Sequence, residues 1–250
     1  MPTQGNWISP RTLNARAAIR LFCCPYAGGS EAVFRAWQTA LGPAINVVPL
    51  QLPGRGVRMR EPLFRDIMPL VASASEVVAS HLDKPFALFG HSMGATISFE
   101  LARALRKTRG VQPIHLFVSG TCCPQEVGRH YREELPVTDI KDKLRQYAGT
   151  PPEVLEHPEL MEIFAPIIQA DFAVCRSYQY TPEPPLGCPI TAFGGLEDHD
   201  VSRESLQCWG TETTGQFRSR MLPGGHFFIN DTGPTILETI ARDLQPHARV

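Results

Sequence analysis

Short apolar runs recur along the chain at residues 18–24 (AIRLFCC), 45–50 (INVVPL), 85–90 (PFALFG), 113–120 (PIHLFVSG), 189–195 (PITAFGG) and 217–225 (FRSRMLPGG). Their length and their Gly or Pro punctuation fit buried strands. Between them, residues 33–41, 66–82, 92–106, 202–209 and 234–244 repeat apolar positions at helical spacing. A strand followed by a helix, repeated in this way, predicts an α/β fold with a mostly parallel central sheet flanked by helices. Functional groups should then gather at the carboxyl ends of the strands.

Residues 121–188 break the alternation. They hold no convincing strand, but they carry helical segments near 138–147, 152–156 and 159–178, with prolines between them. An excursion of that length between two core strands is too long for a plain connection and predicts a helical insertion serving as a lid. The stiff stretch YTPEPPLGCP (180–189) returns the chain to the sheet. At 250 residues the chain is long enough for one large core. We therefore expect a single domain over 1–250, its core about 17–120 and 189–245 and its insertion about 121–188.

Composition narrows the function classes. Hydrophobic residues make up 43% and charged residues 20%, with a formal net charge of -1 and both signs scattered, as in ordinary globular proteins. A basic run with interleaved aromatics is absent, which argues against nucleic acid as a partner. No apolar run approaches a membrane span, and the first twenty residues lack the apolar core of a secretion signal, so a cytoplasmic location is expected. The seven cysteines show no CxxC or Cys/His ligand spacing. A disulfide scaffold and a zinc site are both poor readings, and the thiols are expected as small buried hydrophobes in a reducing compartment. Neither metal nor organic cofactor is indicated, and a monomer is the default.

The stretch GHSMG, residues 90–94, matches G-x-S-x-G between an apolar strand and a helical pattern. The glycines permit a sharp strand-to-helix turn that lifts the Ser92 side chain clear of the backbone as a nucleophile. The helix starting behind it aims the N–H of Met93 at any negative charge forming there. A serine needs a base and an orienting carboxylate, which follow this turn in the order Ser, acid, His. LPGGHFFI places His226 after a strand and before the last helix, a position no other histidine shares. His91 must point away from the nucleophile and reads as packing or local hydrogen bonding. The segment TAFGGLEDHD offers Glu197, Asp198 and Asp200 as the acid, and spacing does not choose among them. The two that are not the acid read as solvated loop charges. The loop in LFCCPYAGGS supplies small residues where backbone N–H groups can approach a ligand, so Ala27 is the second oxyanion donor beside Met93. A phosphate cradle at Gly28-Gly29 is the rival, but neither G-x-G-x-x-G nor a Walker pattern is present.

Six segments, CPYAGGS, LPGRGVRMREP, DKPFALFGHSMGA, GTPPEVLEHPELMEIFAPIIQADF, FGGLEDHDVS and LPGGHFFI, resemble in order the type II thioesterases that accompany polyketide and nonribosomal peptide synthetases. The similarity covers about residues 17–245. It implies an α/β-hydrolase fold with a helical lid, and a triad of Ser92, Asp198 and His226, the acid falling on Asp198 because the family pattern G-G-x-x-D matches GGLED. His199 stands where the family commonly has Pro. The resemblance also implies the oxyanion pair Ala27 and Met93, and a substrate acyl group held as a thioester on the phosphopantetheine arm of an acyl or peptidyl carrier protein. Leu155, Leu160, Met161, Phe164, Ile167 and Ile168 of the insertion would line an acyl chamber. Arg55, Arg58 and Arg60 have no derivable catalytic role and read as ion pairing and loop structure. Two other readings remain: a carboxylesterase or lipase of this fold acting on oxyesters, disfavoured by the lack of an HGGG-type loop, and a non-catalytic acyl-binding module.

Overall fold

The structure, a computed structural model, describes residues 6–130 and 156–248. Six strands, β1 (Ile19–Cys24), β2 (Ile45–Pro49), β3 (Phe86–His91), β4 (His115–Ser119), β5 (Ile190–Gly195) and β6 (Phe217–Leu222), form one sheet in the order β2-β1-β3-β4-β5-β6, every pair parallel. The first five are buried along their whole length, which is why they read as mainly apolar runs without polar alternation. Edge strand β6 is half-exposed and alternates Arg218 and Arg220 with its neighbours.

Alternate side chains feed two cores. Phe22, Cys24, Val48 and Leu88 pack on one face against α2 (Ile67–Ala79) and α3 (Met93–Arg109). On the other face Leu21, Cys23, Val47 and Phe89 meet Trp37 and Leu41 of α1 (Trp37–Leu41) and Ile236, Ile240 and Leu244 of the last helix (Gly233–Leu244). From β1 the chain moves outward to β2, then returns across β1 to β3. The carboxyl ends of β1 and β3 are therefore the point where the direction of winding reverses, where α/β sheets open a crevice.

Between β4 and β5 lie α4 (Pro124–His130) and α5 (Pro158–Ser177). The segments expected near 138–147 and 152–156 fall, apart from Glu156, outside the described residues, as does Leu155. Helix α5 packs on α2, α3 and α4. Its end is anchored where Ser177 Oγ accepts the Ile67 N–H at 2.9 Å and the Tyr178 hydroxyl donates to Glu100 at 2.8 Å. After β5 come α6 (Arg203–Gln207) and then α7, the Gly233–Leu244 helix.

The expectation for the cysteines needs correction. Cys23, Cys24, Cys122, Cys175 and Cys188 are buried thiols, but Cys123 and Cys208 form a disulfide with Cα atoms 5.5 Å apart. The two residues follow neighbouring strands β4 and β5, so the sheet brings together positions 85 apart that spacing does not connect. Among the described residues no helix is long and apolar enough to cross a membrane.

Candidate active site

Strand β3 runs directly into α3, and Ser92 at the junction has φ 55 and ψ -121. It is the only described non-glycine residue with positive φ, a conformation that costs energy and persists only where the surroundings enforce it. The surroundings do so by close approach. A Cβ on Gly90 would overlap the Gly94 carbonyl, and one on Gly94 would overlap the carbonyls of Cys24 and Pro25. The two glycines thus let the start of α3 press against β3 and the loop after β1. Ser92 N–H donates to Ser119 O at 2.7 Å, and Ser98 Oγ donates to Phe89 O at 3.1 Å, tying the turn to its neighbours.

His226 and Asp198 meet Ser92 from the ends of β6 and β5. The Ser92 hydroxyl is 2.9 Å from His226 Nε2, and His226 Nδ1 is 2.9 Å from Asp198 Oδ2. With Nδ1–H donating to the carboxylate, Nε2 is free to accept from Ser92. All three side chains are buried. Asp200 is not in line: its backbone N–H donates to Asp198 Oδ1 at 3.0 Å and fixes the carboxylate that is. Glu197, expected as a solvated charge, accepts the Gly224 N–H through its carboxylate and ties the acid loop to the His226 loop. Gly195 permits that approach, since a Cβ there would lie 2.6 Å from Gly225 O. His199 is exposed.

His91 points away from Ser92, as its place in the strand requires. Its Nε2–H donates to the backbone carbonyl of His226 at 2.9 Å, and its Nδ1 accepts from the Ser119 hydroxyl at 2.9 Å. Burial, reinforced by the neighbouring His226, pushes its pKa well below the usual histidine range, so it stays neutral.

Residues Tyr26–Gly29 make a tight turn: Gly29 N–H donates to Tyr26 O at 2.9 Å, and Gly28 has φ +78. Cys24 pairs with Gly90 across β1 and β3, so this turn lies beside the Ser92 elbow. Among the described residues neither the Ala27 nor the Met93 N–H donates to a protein acceptor. Met93 is the first residue of α3, whose opening amides have no partner within the helix.

Of the three arginines, Arg58 is held by Glu61 at 2.8 Å and Gln51 O at 2.6 Å and lies over the Trp7 ring, while Arg60 is exposed. Arg55 forms a buried ion pair with Asp171 of α5, at 2.6 Å. Asp171 escaped the sequence reading. Its signal was an acid among the buried positions Ile167, Ile168, Ala170 and Phe172 of an amphipathic helix.

A serine, a histidine and an aspartate linked in line, beside two backbone N–H groups that have no protein acceptor among the described residues, is an arrangement suited to acyl transfer. The comparisons with known proteins agree. A thioesterase-domain family profile matches residues 19–244. The gramicidin S biosynthesis protein GrsT of Aneurinibacillus migulanus is 41% identical over 240 residues, spanning 96% of this chain and 94% of GrsT. Among solved structures, the RedJ thioesterase from the prodiginine pathway of Streptomyces coelicolor superposes with a TM-score of 0.86 at 39% identity, covering 92% of this chain and 87% of RedJ. The type II thioesterase BorB from the borrelidin biosynthetic cluster superposes with a TM-score of 0.84 at 33% identity, covering 100% of this chain and 99% of BorB. The chain belongs to the thioesterase family, has its α/β-hydrolase fold, and is a thioester hydrolase of the type II kind associated with peptide and polyketide synthetases.

Proposed function

We propose that this chain hydrolyses acyl groups from the phosphopantetheine thiol of acyl or peptidyl carrier proteins, removing stalled or aberrant units from a polyketide or nonribosomal peptide synthetase. The observation that carries the mechanism is the line of hydrogen bonds from Ser92 through His226 to Asp198 at a strained strand-to-helix turn. Ser92 Oγ attacks the thioester carbonyl as its proton passes to His226 Nε2. The N–H groups of Ala27 and Met93 hold the oxyanion, helped by the positive end of α3. The C–S bond then breaks, His226 protonates the departing sulfur, and the carrier leaves as its free thiol. Water, deprotonated by His226, attacks the acyl-serine, and collapse of the second tetrahedral intermediate returns the proton to Ser92 and frees the carboxylic acid. Asp198 keeps the imidazole in its working tautomer throughout and stabilises the imidazolium.

The insertion acts as a lid in this reading. Ile168 of α5 comes close to the oxyanion turn, since a Cβ on Gly28 would lie 3.1 Å from it, and with Leu160, Met161, Phe164 and Ile167 it would line the acyl chamber. The enzyme works as a monomer in the cytoplasm, without metal or organic cofactor.

The test is hydrolysis of an acetyl-phosphopantetheinyl carrier protein beside the matching free acyl thioester and a p-nitrophenyl ester. The carrier-bound thioester should be preferred. Ser92→Ala and Asp198→Ala should each lose about 10,000-fold or more in kcat. Asp200→Ala should stay near wild type, because it braces Asp198 through its backbone. Preference for the oxyester, with nothing gained from the carrier, would replace this reading with a carboxylesterase.

A further inference from the structure

The buried Arg55–Asp171 pair takes no part in the proton path. Arg55 follows β2 and Asp171 lies on α5, 116 residues away. The guanidinium grips the carboxylate at two points, Nη1 to Oδ2 at 2.6 Å and Nη2 to Oδ1 at 2.7 Å. Their side chains are 6% and 3% exposed. An ion pair so deeply buried is costly unless its remaining hydrogen-bonding capacity is also filled. Here one loop fills most of it, while Arg55 Nε donates to Pro53 O at 3.4 Å. Asp171 Oδ2 accepts the Gly28 N–H at 2.7 Å, and Arg55 Nη1 donates to Gly29 O at 3.1 Å.

Both backbone groups belong to the turn that presents Ala27. The Gly28 N–H lies in the peptide between Ala27 and Gly28, the central peptide of that turn. Positive φ at the third turn residue corresponds to one of the two orientations this peptide can take. Capture of its N–H by Asp171 selects that orientation, and Ile168, one helical turn before Asp171, covers the same glycine. Arg55 in turn fixes the rotamer of Asp171 and neutralises it. We propose that Arg55 and Asp171 are positioning residues for the oxyanion turn, through which helix α5 of the insertion holds the Ala27 N–H in its working direction. This rests on the reading of Ala27 as an oxyanion donor. It also makes catalysis depend on the seating of α5: a displaced helix releases Gly28 and frees the turn.

The experiment uses full-length Asp171→Ala, Asp171→Asn and Arg55→Lys, with folded protein quantified by circular dichroism. Three quantities are compared: kcat and KM on the acyl-carrier substrate, affinity for an alkyl trifluoromethyl ketone, and affinity for a non-hydrolysable acyl-carrier amide. The ketone adds to Ser92 and places an oxyanion in the hole, whereas the amide binds in the ground state. Asp171→Ala should lower kcat about 10- to 100-fold, less than outright loss of a donor, with KM little changed. Ketone affinity should fall in parallel and amide affinity should hold. Asp171→Asn, which keeps an acceptor for Gly28, should retain more activity than Asp171→Ala. Wild-type kcat and ketone affinity in folded variants would overturn the proposal, as would equal losses of ketone and amide affinity. If Asp171→Ala does not fold, the two conservative variants decide by the same comparison. An inactive wild type, or a fully active Ser92→Ala, would instead sink the thioesterase mechanism itself.

Discussion

His91 and His115 illustrate how a buried histidine fixes its own chemistry. His91 uses both ring nitrogens, one on the His226 carbonyl and one on Ser119, and Gly120 must lack a side chain because a Cβ there would lie 2.6 Å from the ring. His115 donates Nε2–H to Thr191 Oγ1 at 2.9 Å and stacks on Phe117. Burial, only partly offset by Asp243, pushes its pKa down to about 4. Both rings stay neutral in the fold at pH values where an unfolded chain would protonate them. As pH falls below about 6.5 the unfolded state binds protons that the folded state refuses. Their contribution to stability is therefore whole above that pH and is lost progressively toward pH 4, where His115 begins to titrate in place. For His115 alone the loss amounts to about 3 kcal/mol. Urea unfolding of wild type and His115→Asn at pH 7, 5.5 and 4.5 checks this. The variant should show a shallower fall in stability with acid; identical slopes would mean that His115 carries none of it.

At the scale of elements, the sheet was legible because five strands are buried on both faces and so appear as mainly apolar runs. The ends were less so. The helix expected over 33–41 divides into a Ser30-capped turn, Glu31–Phe34, and α1, while β6 stops at Leu222 because Pro223 and Gly224 turn the chain toward His226. The β3–α3 junction was the most legible piece, since its glycines serve contact as well as conformation. A methyl group at Gly94 has nowhere to go but into the backbone carbonyls of Cys24 and Pro25, which belong to the β1 strand end and loop and cannot turn aside as a side chain would. Gly94→Ala should therefore cost about 3 kcal/mol or more and disturb the Ser92 turn. A methyl group on Gly233 would meet nothing within 4 Å, so Gly233→Ala should stay within about 0.5 kcal/mol of wild type. Thermal denaturation of the two variants separates contact from a general intolerance of glycine replacement. Equal, small shifts would show that the junction can relax.

Over the whole molecule, local pattern stops being informative where partners are distant in sequence. Ser92 and His226 could be picked from their own loops, but spacing alone does not separate Asp198 from Glu197 and Asp200; the family resemblance favours Asp198, and the meeting of β5 and β6 brings it to His226, while nothing near Arg55 points to Asp171. The disulfide is the same kind of feature. Cys123 stands where the chain leaves β4 for the insertion, and Cys208 where it leaves α6, beyond the acid loop. The Cys123 N–H donates to Ser205 O at 3.3 Å, and the Trp209 indole donates to Thr121 O at 3.2 Å, so hydrogen bonds hold the same two segments in register. Cross-linking positions 85 apart removes freedom mainly from the unfolded chain, and stabilises by about 2–4 kcal/mol for a bond of this kind. Of the seven cysteines, five should therefore react with a thiol reagent in denaturant without reductant, and all seven after reduction. Cys208→Ser should lower the unfolding midpoint, and dithiothreitol should lower it in the wild type but not in the variant, because the variant has no bridge left to break. Seven reactive thiols before reduction would remove the cross-link from the account. The segments after β4 and α6 would then be joined by hydrogen bonds with no covalent link, among them those of Cys123 to Ser205, Trp209 to Thr121 and Gln125 to Glu212.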